Sequence, residues 1–255
     1  MRFGPAGNAE RFYAEGLKAS VQAPEWLAAQ GLTAYEYPFG RGVSLSDDTA
    51  AAIRAQAEKW GIAVSVHAPY FINLANPDTE KREASYRYIL DAAQKAAALG
   101  GRRVVVHVGA AMKMERSEAL ANCRAGLIEA YRRLDDIGLE QTILCPETMG
   151  KYSQIGDLHE TLDFCLLDDR MLPCVDFAHL HALGGGALNT PADFAAVLDT
   201  IEAVLGLERA RKMHMHFSTI EYTAAGEKRH HTFAEEKYGP RFENLAPLLH
   251  ARGYD

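Results

Sequence analysis

The feature that most constrains this sequence is a regular alternation between short apolar runs and longer segments with helical periodicity. Residues 104–106 are all valine, which is typical of a parallel strand buried on both faces. A helical pattern over residues 85–99 precedes them and stops at Gly100 and Gly101, where glycine favours the end of a helix. Repetition of this unit predicts βαβ connections and a parallel sheet.

The same alternation extends along the whole chain. Strands are predicted near residues 2–4 and at residues 32–37, 62–67, 104–107, 142–147, 172–176 and 212–217. Helices are predicted from 46 to about 60, at 85–99, 118–137 and 157–167, from 190 onward, and at 242–251. This order predicts an α/β fold, a (β/α)8 TIM barrel whose eighth strand is missing from the chain. We expect residues 1–255 to form one barrel domain that is incomplete at its C-terminus.

Composition excludes several classes of protein. The chain has no apolar run of about eighteen residues, so we expect no membrane span, and its first residues lack the apolar stretch of a signal peptide. Its four cysteines form no CxxC pair, which argues against a disulfide framework and indicates a reducing, cytoplasmic location. A net charge of -7 argues against a broadly basic surface, although bound cations can meet phosphates on an acidic protein.

Imidazoles and carboxylates recur at or just beyond the ends of five predicted strands. In a barrel those ends share one face, so these side chains are expected to converge. Their mutual repulsion is most simply offset by a cluster of divalent cations. Mixed imidazole and carboxylate ligands suit zinc, and also manganese or iron. The five residues are His67, His107, Glu147, Asp176 and His216.

Further histidines follow the last two of these strands. His179 lies three residues beyond Asp176, and the pair is expected to bind different ions. Residues 227–231, Glu-Lys-Arg-His-His, occupy a predicted loop in which His230 is favoured over His231 as the residue facing the site. Two other histidines have ordinary interpretations, because His181 and His214 either orient a ligand or are simply buried and hydrogen-bonded.

Six motifs occur in order along the chain: HAPYFINLA at 67–75, HVG at 107–109, PET at 146–148, VDFAH at 175–179, MHF at 215–217 and RHH at 229–231. Together they resemble the endonuclease IV family of apurinic/apyrimidinic endonucleases, within the xylose-isomerase-like barrel group. The resemblance implies a (β/α)8 barrel with up to three zinc ions. It also implies hydrolysis of a DNA phosphodiester 5′ to an abasic site, by a metal-activated hydroxide.

The resemblance also implies a role for each site residue. His67 and His107 would bind the first metal with Glu147, which would bridge to a second metal and is therefore the candidate catalytic residue. Asp176 and His216 would complete the second site, and His179 and His230 would bind the third ion. Tyr70 and Phe71 match the loop that enters DNA at the lesion, where aromatic rings replace lost stacking.

Two departures from the family pattern are visible. The family has an aspartate two residues before the histidine of the third metal, where this chain has Lys228. The adjacent Glu227 would substitute only if the loop shifts. The family also carries a glutamate ligand on its eighth strand, which would begin where this chain ends, at residues 252–255.

Two other functions remain open from the sequence. One is a sugar isomerase or epimerase of the same barrel group that uses one or two divalent ions. The other is a barrel that binds metal without turnover. An inward-pointing lysine would favour the isomerase, and a third metal site would favour the hydrolase. For the hydrolase we expect abasic-site DNA as the partner and a monomeric protein.

Overall fold

A computed structural model describes residues 1–254 of the chain, and Asp255 lies outside the described part. The α-helices are α1 (Glu10–Ala14), α2 (Ala23–Ala29), α3 (Asp47–Trp60), α4 (Thr79–Ala98), α5 (Arg116–Asp136), α6 (Leu158–Cys165), α7 (Phe177–Leu183), α8 (Pro191–Leu205), α9 (Leu207–Ala210) and α10 (Ala246–Ala251). The strands are β1 (Ala34–Pro38), β2 (Ala63–His67), β3 (Arg103–Val106), β4 (Gly109–Ala110), β5 (Ile143–Pro146), β6 (Gln154–Ile155), β7 (Cys174–Asp176), β8 (His214–His216), β9 (Thr219–Thr223) and β10 (Gly226–His231).

The chain divides into two compact units, and the first comprises residues 1–72, 79–106 and 129–144. Its sheet is parallel, with β2 paired to β1 on one side and to β3 on the other. Ile143, at the start of β5, donates its N–H to the carbonyl of Arg102 at 2.8 Å. This unit therefore contains the βαβ repeats that the alternating pattern predicts.

Helix α3 illustrates how the sequence sets the limits of an element in this unit. The Ser46 hydroxyl accepts a hydrogen bond from the Thr49 N–H at 3.2 Å, which caps the first turn. The helix ends at Gly61, whose φ of 69° is the left-handed conformation that favours glycine. Beneath it lies a cluster of buried apolar side chains, formed by Phe12, Ala23, Leu27, Tyr35, Ala57 and Ile62.

The second unit comprises residues 73–78, 107–128 and the described chain from 145 onward. In it β7 and β8 are parallel, with Cys174 opposite His214 and Asp176 opposite His216. Glu147, directly after β5, forms a parallel bridge to Cys174 on the other side of β7. The three strand ends therefore lie side by side and run in the same direction.

Two antiparallel pairs complete this unit: β4 with β6, and β9 with β10. The β9–β10 hairpin corrects the sequence prediction, which placed a loop after the strand at 212–217. Its strands are short and mostly polar on their exposed side, so they carry little of the hydrophobic alternation that reveals a strand.

Three other predicted boundaries were wrong. Residues 2–4 are extended beside β1 but form no strand, since the Phe3 carbonyl accepts from the N–H groups of Thr33 and Ala34. Helix α4 begins at Thr79 instead of residue 85, through a charged first turn with no apolar periodicity. The last helix is a 3-10 turn at Phe242–Asn244 followed by α10, because Pro247 favours the first turn of a new helix.

All four cysteines are buried, and none forms a disulfide within residues 1–254. Within residues 1–254, no helix combines the length and the apolar character required to cross a bilayer. The single-domain assignment and the position of an eighth strand remain predictions.

Candidate metal centre

The carboxyl ends of neighbouring strands in the second unit deliver three polar side chains to one place. Glu147 follows β5, Asp176 ends β7 and His216 ends β8. One donor atom from each lies within 4.8 Å of the others. The rule that parallel strands present their functional groups at the same end therefore accounts for this group.

Glu147 lies at the centre of the site and is only 1 % exposed. His107 Nε2 is 2.8 Å from its Oε2 atom, and His216 Nδ1 is 2.7 Å from its Oε1 atom. Each carboxylate oxygen therefore faces one imidazole. A carboxylate this deeply buried would be costly without such partners, so both rings help to hold its charge.

Asp176 and His179 are positioned by the start of helix α7. The Asp176 Oδ1 atom accepts from the His179 N–H at 2.9 Å and caps the helix. The Nδ1 atom of His179 lies 2.7 Å from the Thr148 carbonyl, to which it donates. This hydrogen bond leaves Nε2 as the atom directed into the site, the arrangement expected of a metal-binding histidine.

A second group of donors surrounds that Nε2 atom. His230 Nε2 lies 3.0 Å from it, while the Nδ1 atom of His230 is 2.8 Å from the Ser218 hydroxyl. Glu227 approaches both rings, with Oε2 3.5 Å from His179 Nε2 and Oε1 3.8 Å from His230 Nε2. Two imidazole nitrogens that face each other at this distance require a proton or a cation between them.

The electrostatics of the site reflect its excess of carboxylates. Burial favours the neutral imidazole of His179, but nearby carboxylates outweigh burial and raise its pKa. Those carboxylates belong to Asp176, Glu147 and Glu227. The pKa of the neighbouring His230 is lowered, first by burial and also by the His179 ring. The site as a whole attracts positive charge.

The donors also fit a divalent cation in their spacing. Ligands that bind zinc tetrahedrally at about 2.0–2.1 Å lie about 3.3 Å from one another. His179 Nε2 and His230 Nε2 lie 3.0 Å apart, and Glu227 places Oε2 3.5 Å from the first ring and Oε1 3.8 Å from the second. Asp176 also belongs to this group, since one donor atom each of Asp176, His179 and His230 lies within 4.8 Å of the others. Imidazole and carboxylate donors together suit zinc, manganese or iron, so the residues fit the expected metals.

The remaining predicted site residues lie in the first unit. His67 ends β2, is buried, and packs its ring 5.1 Å from that of Tyr70. Tyr70 and Phe71 are 54 % and 59 % exposed, as a loop that inserts into a partner would require. The roles of these three residues remain predictions.

Sequence reasoning missed two groups that orient the ligands. The Thr148 carbonyl and the Ser218 hydroxyl hold the rings of His179 and His230, respectively. Thr148 lies within the motif at 146–148 and Ser218 directly follows the motif at 215–217, which signals only that each is close to a candidate ligand in the sequence. Lys228, which stands at the family's aspartate position, lies outside the donor group and pairs with Glu221 at 2.7 Å.

Comparison with known proteins places this chain in a family. Residues 24–255 match the family described as xylose isomerase-like TIM barrel. The chain belongs to this family. The predicted TIM-barrel fold class is therefore confirmed, and so is the resemblance on which the site assignment rests.

Members of the family include relatives with and without a described activity. An uncharacterized protein of Methanocaldococcus jannaschii is 34% identical over 86% of this chain and 79% of its own length. Endonuclease 4 of Thermus thermophilus is 31% identical over 80% of this chain and 73% of its own. A crystal structure of endonuclease IV from Thermus thermophilus shares 25% identity and a TM-score of 0.69, covering 90% of this chain and 82% of that one.

Sugar epimerases share the same barrel fold at lower identity. A crystal structure of D-psicose 3-epimerase aligns with a TM-score of 0.66 and 16% identity, covering 93% of this chain and 77% of that one. At this identity the likeness shows only the TIM-barrel fold. It does not transfer the epimerase activity to this chain.

Proposed function

We propose that this chain is a metal-dependent phosphodiesterase that cuts DNA 5′ to abasic sites, as the endonuclease IV resemblance implies. The observation that carries the proposal is the buried Glu147 carboxylate, whose two oxygens each face one imidazole, beside a separate group of two imidazoles and a carboxylate. This is the donor arrangement of a multi-metal site. Zinc is the proposed metal, and manganese or iron also fits the donors.

In the proposal each residue has a defined task. Glu147 would bind one cation on its His107 side and another on its His216 side. This bridging position makes it the candidate catalytic residue. Asp176 and His216 share one cation, and His179 with His230 hold another. His67 is assigned to the first cation by the resemblance. When bound, divalent cations supply positive charge for the phosphodiester and activate water for attack.

The residues that surround the ligands keep them preorganised. Thr148 and Ser218 fix two imidazole rings through their outer nitrogens, so little reorientation is needed on binding. The exposed Tyr70 and Phe71 rings are proposed to stack in the gap that a missing base leaves in DNA. Specificity for the lesion would come from these rings, and hydrolysis from the buried carboxylate site.

A decisive experiment uses a labelled duplex with one tetrahydrofuran abasic analogue. Metal-loaded protein is expected to produce a single nick 5′ to the analogue, and chelator is expected to abolish it. Glu147→Gln should lower the cleavage rate at least about 1000-fold, since it removes the charge of a central ligand. His159→Gln, on the exposed face of α6, is the matched control and should cleave normally.

The same preparation tests the other function left open by the sequence, a sugar isomerase or epimerase of the same barrel group. Lys228, the residue whose inward orientation would favour an isomerase, is instead exposed and paired with Glu221. An intact abasic duplex together with metal-dependent epimerisation of a ketose would overturn the nuclease proposal.

A further inference from the structure

We propose that Glu227 is the carboxylate ligand of the cation held by His179 and His230, and that a β-bulge at Lys228 places it there. The inference deepens the proposed function, and rests on it for treating this cation as part of a nuclease site. It concerns the position at which the chain departs from the family pattern, where a lysine replaces an acidic ligand.

The pairing of β9 with β10 is irregular at Lys228. Glu227 pairs with Tyr222, and Arg229 pairs with Glu221. Two residue steps along β10 therefore correspond to one step along β9. Lys228 is the additional residue, which is the definition of a β-bulge. Side chains alternate along a regular strand, so residues three apart would point to opposite faces. The additional residue brings Glu227 onto the same face as His230.

The side chains of Glu227 and Lys228 point in different directions. Glu227 is mostly buried, with 18 % of its side chain exposed, and its carboxylate faces His179 and His230 at 3.5 and 3.8 Å. The Lys228 side chain is 57 % exposed, and its Nζ atom lies 2.7 Å from Glu221. The bulge therefore turns the acid inward and the base outward.

A close backbone approach holds Glu227 in position. The Glu227 N–H donates to the Gly150 carbonyl at 2.8 Å. Gly226 has a φ of +98°, and a Cβ there would lie 2.2 Å from the same carbonyl oxygen. A Cβ on Gly150 would in turn lie 2.7 Å from the Glu227 Cβ. Two glycines therefore permit the contact that fixes this ligand.

Metal stoichiometry tests the inference without any measurement of cleavage. Zinc per chain is counted by elemental analysis after loading and desalting, for the full chain and for variants with unchanged melting of the metal-free protein. Glu227→Gln keeps the size of the side chain and should lose one equivalent of zinc. Lys228→Ala should retain every equivalent, because that side chain lies outside the donor group.

A rescue variant distinguishes the bulge from a shifted loop. In the double variant Glu227→Ala/Lys228→Asp, an acid stands at the spacing used by the family. We expect it to bind one equivalent less than the unmodified chain, since position 228 faces Glu221. Full zinc content in this variant or in Glu227→Gln, or loss of zinc in Lys228→Ala, would overturn the inference.

These outcomes are independent of the nuclease proposal. A chain that cuts abasic DNA while Glu227→Gln retains all its zinc would refute only the ligand assignment. A chain that leaves abasic DNA intact while Glu227→Gln loses one equivalent would refute only the nuclease function.

Discussion

Thr148 shows how a residue with no chemistry of its own organises this site. Its hydroxyl accepts a hydrogen bond from the Asp176 N–H at 2.8 Å, and its carbonyl accepts from His179 Nδ1 at 2.7 Å. Both partners lie far along the sequence from Thr148, on the neighbouring strand and the helix after it. Sequence reasoning proposes candidate ligands because they follow strands, but such long-range contacts leave no local pattern.

Thr148→Val is expected to destabilise the protein by about 1–3 kcal/mol, because it leaves the buried Asp176 N–H without an acceptor. Valine preserves the shape of threonine, so the loss reports the hydroxyl alone. Thr148 is fully buried in the folded state, so water cannot replace the lost acceptor. Urea unfolding of the metal-free protein measures the change in the free energy of unfolding.

Thr200→Val provides the control for this change. The Thr200 hydroxyl bonds only to the Ala196 carbonyl within α8, so its removal should cost less than about 0.5 kcal/mol. An equal loss of stability in both variants would show that the Thr148 hydroxyl has no special role.

At the scale of elements, the limits of the parallel strands were predictable to within two residues. The clearest case is β3, whose run of three valines is fully buried. The β9–β10 hairpin was not predictable, and with it the position of Glu227 was missed. A bulge depends on which residues pair across two strands, and hydrophobic periodicity does not predict that pairing. The hairpin that the sequence did not predict therefore contains Lys228, the position at which the chain departs from its family pattern.

Helix α6 offers a pH-dependent prediction. Its N-terminal Glu160 accepts hydrogen bonds from the backbone N–H groups of Gly156 and Asp157 and a bidentate pair from Arg116. Burial alone would raise the pKa of Glu160, but these hydrogen bonds outweigh burial and lower it below the ordinary value of 4.5. A lowered pKa in the folded state stabilises the protein above pH 4.5, and this stabilisation disappears as pH falls through the folded-state pKa.

Arg116→Gln should therefore lower the free energy of unfolding by about 1 kcal/mol near neutral pH, a value discounted because the Arg116 side chain is 39 % exposed. The difference from the unmodified chain should shrink as pH falls below 4.5. Urea unfolding at a series of pH values measures it. A difference that stays constant down to about pH 3 would show that Glu160 ionisation is not involved.

For the whole molecule, the proposed function raises the question of how a chain of net charge -7 would associate with DNA, a polyanion. Carboxylates concentrated around Glu147 would repel phosphate if they stayed uncompensated. Two or three divalent cations would offset most of the net charge, and would do so at the site where the phosphodiester must bind. The same acidic composition that argues against a basic DNA-binding surface is consistent with DNA binding through metal.

DNA affinity is therefore expected to depend on metal. With an abasic duplex whose target linkage cannot be hydrolysed, chelator should weaken binding at least about tenfold, equivalent to about 1.4 kcal/mol. Fluorescence anisotropy measures this, and rising salt should weaken the metal-dependent binding further. Glu147→Gln should bind weakly even with zinc present, while His159→Gln should match the unmodified chain. Equal affinity with and without chelator would mean that DNA is held by side chains away from the carboxylates. The acidic site would then contribute to hydrolysis alone.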